Sequence, residues 1–394
     1  MELKLDMIQT VGLAIIVYYL GAFIRSKVYV LEKFCIPSPV VGGLIFAIFN
    51  LILRQNGILK ISLDTTLQKP FMLVFFTTIG LSASLKLLKK GGLAVLVFFL
   101  CIVFLVILQD TIGVLVAKMV GANPLLGLIA GSVTMVGGHG TGAAFGELFE
   151  KSYGFNGAVT AAMAAATYGL VSGSLLGGPI AKRLIEKNNL KPHASDYIDE
   201  AAIVLEEVSY EEMFKTFAII IISMSLGAVL EAWFKSKNIT LPSYINAMII
   251  AAIILNTGEL TGKYHINQKC ADILGSIGLN VFLSMALIGL KLWELKDIAG
   301  PMLVILIAQT ILMIFFAYFV IFKFNGKDYD AAVMAAGTCG FGMGATPNAM
   351  ANMSAVCEKY GPSPKAFFVI PLVGAFLIDF TNSIIITTFA NMIK

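Results

Sequence analysis

Two glycine-rich segments interrupt a strongly apolar chain, and they restrict what it can fold into. The first is Gly137-Gly138-His139-Gly140-Thr141-Gly142-Ala143-Ala144, and the second is Gly340-Phe341-Gly342-Met343-Gly344-Ala345-Thr346-Pro347-Asn348. Both carry G-x-G-x-G followed by alanine, and the second lies about half of the 394-residue chain after the first. Glycine at every second residue weakens a helix. In lipid, irregular backbone persists only where it is buried in protein or lines a wet cavity. Two such breaks at matching places in two halves are the pattern of a transporter's binding site.

Composition supports a membrane setting. Hydrophobic residues make up 58% of the chain and charged residues 13%, against about 25% charged in an average soluble domain. A polytopic membrane protein follows. The net charge of +4 gives no case for nucleic acid. The five cysteines (35, 101, 270, 339 and 357) are scattered, and histidine occurs only at 139, 193 and 265. Neither a disulfide framework nor a metal centre is suggested. The first apolar run, from about Met7, shows no n-region followed by an A-x-A site and is expected to remain as a span.

Hydropathy divides the first half into spans at about 7–24, 36–53, 71–85, 92–117 and 155–181, with a hairpin at about 124–149. The second half repeats the plan at about 213–234, 244–255, 273–290, 298–322 and 366–392, with a hairpin at about 331–356. Gly42-Gly43 would allow close helix approach, and Gly177-Gly178-Pro179 is expected to end the fifth span. The expected fold is therefore an all-α polytopic membrane protein with two inverted repeats of five transmembrane helices, each with a re-entrant glycine-rich hairpin. The repeats cover 1–181 and 213–394. A charged linker, 182–212, joins them and holds room for an amphipathic helix at about 203–208. Five spans plus a hairpin cross the membrane an odd number of times, so consecutive repeats must be inverted. Placing the linker in the cytoplasm and both termini outside puts more than half of the 28 basic residues inside.

The glycines allow two readings. Gly138, Gly142 and Gly146, like Gly340 and Gly344, fit small-xxx-small helix packing. The two-residue recurrence, Pro347, and the polar groups of Thr141, Thr346, Asn348 and Asn352 favour opened turns instead. Bare amides and half-helix N-termini at Gly138, Gly140, Gly142, Gly342 and Gly344 would hold a substrate carboxylate, with Thr141, Thr346 and Asn348 beside them. Exposed carbonyls there would suit sodium. His139 either fixes its turn through backbone hydrogen bonds or contacts and gates the substrate. Asp379, central in the last span, costs roughly 2.5–3.5 kcal/mol on insertion scales. It suits sodium or the ammonium of an amino-acid substrate, or else it is a satisfied carboxylate at a helix interface. The sodium candidates are Thr77, Ser82, Thr338, Asn352, Asp379 and Asn382. Thr77 and Ser82 stand with Thr78 and Ser84 in a polar third span that either lines the transport core or only packs. Asp110 is balanced between a boundary position and a functional one. Gln109, Gln309, Asn280 and Ser284 read as interhelical hydrogen-bonding residues, and Lys291 as a snorkelling anchor. No arginine lies within a span, so an anionic substrate would rest on helix ends, amides and co-bound cations.

These two hairpin motifs resemble those of the bacterial sodium/glutamate symporters. So do 75–81, Met285-Ala286-Leu287-Ile288-Gly289-Leu290-Lys291-Leu292-Trp293-Glu294-Leu295 and Val373-Gly374-Ala375-Phe376-Leu377-Ile378-Asp379. The similarity runs in order through nearly the whole chain and is weakest in the linker. It implies a homodimer in the bacterial inner membrane that imports L-glutamate with sodium, needs no cofactor, and works by an elevator movement. The distribution of polar groups assigns spans three, four, five, eight, nine and ten with the hairpins to the moving part, and spans one, two, six and seven to a scaffold. One rival is a symporter of the same architecture for another organic acid, such as a hydroxycarboxylate. Another is an ion channel, whose flux would be passive. An enzyme is disfavoured, because no nucleophile–base pair or HExxH spacing is present.

Overall fold

The computed structural model describes residues 2–34, 36–192, 208–236, 243–296 and 298–393. In chain order these form β1 (Glu2–Leu5), α1 (Met7–Lys27), α2 (Ser38–Gln55), β2 (Lys60–Leu63), α3 (Gln68–Gly80), α4 (Leu85–Met119), α5 (Pro124–Leu128), α6 (Gly138–Tyr153) and α7 (Ala158–Asn188). The second half contributes α8 (Tyr210–Ser236), α9 (Ser243–Thr261), α10 (Gln268–Ile288), α11 (Ala299–Phe315), α12 (Tyr329–Gly342), α13 (Thr346–Tyr360), α14 (Pro364–Leu372) and α15 (Ile378–Ile393). Eight helices among the described residues are long and apolar enough to cross a membrane. The protein is thus a helical, polytopic membrane protein. Among the described residues it departs from an all-α fold only in β1 and β2, which pair in parallel with Glu2 opposite Lys60.

Two compact units are present, and each draws on both halves of the chain. The first holds α1, α2 and α3 with α8, α9 and α10. Close backbone approach builds it. A Cβ on Gly42 would lie 2.0 Å from the Val17 carbonyl oxygen, so α1 and α2 touch main chain to main chain as the Gly42-Gly43 pair suggested. Gly42→Val is expected to lower the thermal unfolding midpoint of the solubilised protein, with roughly 1–3 kcal/mol of overpacking. Gly12→Val, which faces open space, is expected to leave the midpoint in place.

Spans three and eight, assigned above to the moving part, belong to this first unit as α3 and α10. The hydroxyls of α3 explain the difference. Thr77 Oγ1 donates to the Leu73 carbonyl at 2.6 Å, Thr78 Oγ1 to Phe75 at 2.7 Å, and Ser82 Oγ to Thr78 at 3.3 Å. The run satisfies its own polarity along the helix, so it does not require a wet partner. Helix α3 has 13 residues, about 20 Å of rise, which is short of the roughly 30 Å hydrocarbon core. The stack of Phe76 on Tyr244, with centroids 4.1 Å apart, ties it to α9.

The second unit holds α4 from Lys90 onward, α5 to α7, and α11 to α15. Each glycine-rich segment forms a helix–turn–helix, α5–α6 and α12–α13. Three π-helical turns occur here among the described residues, at Ile129–Val133, Phe316–Ile321 and Val373–Leu377. Such turns shift the helical register by one residue and tend to mark functional positions. Helix α7 continues past Pro179 to Asn188 instead of stopping at the proline, because a membrane helix can re-satisfy the one carbonyl that proline releases. The linker segment 193–207, most of the expected amphipathic helix and His193 lie outside the described residues.

Candidate functional site

The glycine pattern sets the geometry of the second unit. Ordinary helix would continue through 129–142, but Gly131 adopts ψ −139° and Gly138 adopts φ +59°, and between them the chain turns. Helix α6 then starts at Gly138, preceded by Gly137, which has no side chain to cap it. The first amides of a helix lack intrahelical partners, so Gly138, His139 and Gly140 present their N–H groups at this tip. The Thr141 amide bonds back to the Gly137 carbonyl at 3.3 Å, and Gly142 lies inside the helix, packed near Thr134 and Ala162. Neither contributes a bare amide, so Gly142 departs from the expected role: its missing side chain serves packing.

The second tip, Met343 to Ala345, is tighter. The Gly344 amide bonds to the Phe341 carbonyl at 3.4 Å and the Ala345 amide to the Gly340 carbonyl at 3.1 Å. Gly342 and Gly344 therefore shape the turn and do not present bare amides. The free donor is the Thr346 N–H, the first of the uncapped α13, since Pro347 has none. The two tips meet: a Cβ on Gly138 would lie 2.9 Å from the Gly344 carbonyl oxygen. The uncapped start of α6 thus lies against the second tip, two residues before the uncapped start of α13, and free helix-start amides favour an anion.

The side chains sort into several roles. His139 is buried, and its Nε2 lies 3.1 Å from Thr167 Oγ1. Thr167 spends its only proton on the Met163 carbonyl at 2.8 Å. His139 Nε2–H is therefore the donor, and the ring is fixed to α7. Asn348 Nδ2 donates to the Leu170 carbonyl at 3.0 Å and to Ser174 Oγ at 2.9 Å. Asn352 Nδ2 donates to the Gly173 carbonyl at 3.0 Å and the Ala336 carbonyl at 3.2 Å. Both amides clamp the second hairpin to α7, and Thr338 bonds the Met334 carbonyl of its own helix. Asn382 Nδ2 reaches the Ser132 carbonyl at 3.1 Å. Asp379 is half-buried, and its carboxylate has no hydrogen-bond partner among the described residues. Thr77 and Ser82 belong to the first unit, where Thr77 bonds a carbonyl of its own helix and Ser82, just past the end of α3, bonds the Thr78 carbonyl.

Some contacts were missed from the sequence. Gly169 and Gly173 let α7 approach the second hairpin, with built Cβ atoms 2.1 Å from the Met343 carbonyl oxygen and 2.6 Å from that of Cys339. The four-residue repeat Gly169, Gly173, Gly177 was the available signal. Thr167 gave none. The glutamines do bridge helices as expected, Gln309 Nε2 to the Gln109 carbonyl at 2.7 Å and Gln109 Nε2 to the Gly342 carbonyl at 2.8 Å. Ser284 departs from the expectation, for its buried hydroxyl has no partner among the described residues.

Comparison with known proteins gives the family. The sodium/glutamate symporter family profile matches residues 3–362. The chain is 42% identical over 388 residues to the sodium/glutamate symporter of Escherichia coli (strain K12), covering 97% of this chain and 96% of that one. It is 40% identical over 383 residues to the sodium/glutamate symporter of Haemophilus influenzae, covering 95% of each. A match along nearly the whole length, taking in both tips and the helices that clamp them, shows that this chain belongs to the sodium/glutamate symporter family, whose members are transporters and not enzymes.

Proposed function

We propose that this protein imports L-glutamate across the bacterial inner membrane, driven by co-transported sodium and without a cofactor. The observation that carries the reading is the meeting of the two tips, where the uncapped helix start at Gly138 lies against Gly344, two residues before the uncapped helix start at Thr346. The amides at 138–140 and at Thr346 receive the substrate carboxylate, with Thr141 nearby. Asp379, a carboxylate without a partner among the described residues, receives the ammonium or a sodium ion. The Nδ2 groups of Asn348 and Asn352 hold the second tip in shape, the unpartnered Asn348 Oδ1 remains a substrate candidate, and Asn352 and Thr338 remain sodium candidates. Thr77 and Ser82 remain sodium candidates of the first unit.

The architecture we propose is a pair of inverted repeats, 1–181 and 213–394, each with a re-entrant hairpin, and with the central linker cytoplasmic and both termini periplasmic. The unit that contains both tips, all three π turns and Asp379 acts as the carrier in an elevator movement, and the chain works as a homodimer. Net inward movement of positive charge gains roughly 2.3 kcal/mol per elementary charge per 100 mV, so a sodium-coupled carrier accumulates substrate.

Uptake of radiolabelled L-glutamate into proteoliposomes tests this. Accumulation is expected only with an inward sodium gradient, and unlabelled glutamate is expected to compete better than hydroxycarboxylates. Sodium-driven uptake of another acid would replace the substrate. Flux that ignores the gradient would favour a passive pathway.

A further inference from the structure

Asp110, Ser132 and Asn382 meet in the second unit, where the Ser132 carbonyl also accepts the Gly137 amide at 3.0 Å at the entry to the first tip. Asp110 on α4 is completely buried. Its Oδ1 accepts the Ser132 amide at 2.9 Å, and the Ser132 carbonyl accepts Asn382 Nδ2 at 3.1 Å. Residue 132 thus joins α4 to α15. Each of the three side chains has one buried oxygen, Asp110 Oδ2, Ser132 Oγ and Asn382 Oδ1, that makes no hydrogen bond of good geometry among the described residues, and the Ser132 hydroxyl stands beside the Asp110 carboxylate. Buried polar atoms are almost always paired, and three orphans on one connected set call for a ligand.

The chemistry of the set is selective. All three orphans are oxygens, and the Asn382 amide is held oxygen-outward because its nitrogen is spent on Ser132. Oxygen donors without imidazole or thiolate select a hard cation over a transition metal. The set brings one formal negative charge, whereas divalent ions are commonly held by more than one carboxylate. No ion pair reaches Asp110 among the described residues, although a lone buried carboxylate is costly. Gly131 keeps it approachable, because a Cβ there would stand 2.9 Å from Asp110 Oδ1.

We propose that Asp110, Ser132 and Asn382 form a sodium site, an inference that rests on the reading of the chain as a sodium-coupled carrier. The ion bridges α4, the π turn at Ile129–Val133 and α15. It holds the arm that leads into the first tip, and it holds the turn of α15 that presents Asp379. Sodium binding thereby orders the substrate place from behind, which couples the two ligands without direct contact.

The test is thermal unfolding of the purified full chain in detergent, titrated with sodium chloride against potassium chloride at constant ionic strength. Sodium is expected to raise the wild-type Tm and potassium is not. Ser132→Ala and Asn382→Ala are expected to raise the half-saturating sodium concentration roughly tenfold or more, and Asp110→Asn to abolish the shift. Absence of a sodium effect on the wild type would overturn the site. So would unchanged half-saturation in both Ser132→Ala and Asn382→Ala, each of which removes one ligand and leaves the buried carboxylate in place. Glutamate uptake measured in parallel separates the two ideas. If uptake is sodium-driven and all variants keep the wild-type sodium requirement, the transport reading stands and this site falls. If sodium stabilises the wild type and the variants weaken it while glutamate is not carried, the site stands and the substrate reading falls.

Discussion

Replacing Asp379 by asparagine is expected to reduce sodium-driven L-glutamate accumulation roughly 100-fold, the equivalent of about 2.7 kcal/mol, while the protein still inserts and elutes as a folded species. The substitution keeps size and removes charge. The carboxylate has no hydrogen-bond partner among the described residues and sits just after the π turn Val373–Leu377, so little structure depends on its charge. An asparagine is also cheaper than an aspartate to bury in lipid, which separates loss of transport from loss of insertion. Reconstituted uptake and size-exclusion elution measure the two. The same variant discriminates between roles. If Asp379 binds the substrate ammonium, sodium-induced stabilisation persists in Asp379→Asn and only the glutamate response is lost. If it binds sodium, both are lost. Wild-type uptake with an unchanged sodium requirement would remove Asp379 from the site.

What the sequence shows of the fold depends on the length scale of the signal. Hydropathy over some twenty residues located the long helices, because lipid demands continuous apolar length. The helix-breaking effect of alternating glycines located both tips. Where one helix touches another was less visible. Span three reads either as part of a polar core or as packing only, because Thr77, Thr78, Ser82 and Ser84 cluster in sequence; the hydroxyls of Thr77, Thr78 and Ser82 bond carbonyls of α3 and Ser84 bonds Glu259 at 2.7 Å. Hydroxyl content does not reveal the direction of the hydroxyl. The asparagines gave the opposite lesson. Asn348 and Asn352 read as ligands because they follow the second tip; their Nδ2 groups hold carbonyls of α7, and the Asn348 Oδ1 is left buried without a partner among the described residues. An amide beside a turn can serve the turn or the ligand, and only the position of α7 decides. Ser132 carried no local signal. It became informative only when Asp110 and Asn382, far away in sequence, were found on either side of it.

The second large effect is expected at Gly138. A valine there must adopt φ near +59°, a conformation that β-branched residues essentially avoid, and strain of this kind costs of order 1–3 kcal/mol. Its Cβ would also lie 2.9 Å from the Gly344 carbonyl oxygen. That atom belongs to the opposing tip and cannot swing aside as a side chain could. The valine therefore either separates the tips or unwinds the start of α6, and both outcomes disperse the amides at 138–140. Gly138→Val is expected to weaken glutamate binding at least about tenfold, read as the half-saturating concentration for uptake or for glutamate-induced stabilisation. Two further variants isolate the cause. Gly342→Ala would meet the mobile Met313 Cε, at 2.6 Å from the new Cβ. Rotation of the methionine absorbs that contact, so a smaller loss is expected. Gly178→Ala projects into open space inside α7 and is expected to preserve affinity and to stabilise the helix by up to about 1 kcal/mol. If Gly138→Val binds glutamate as the wild type does, the glycine alternation serves helix packing alone and the meeting of the tips is not where the substrate sits.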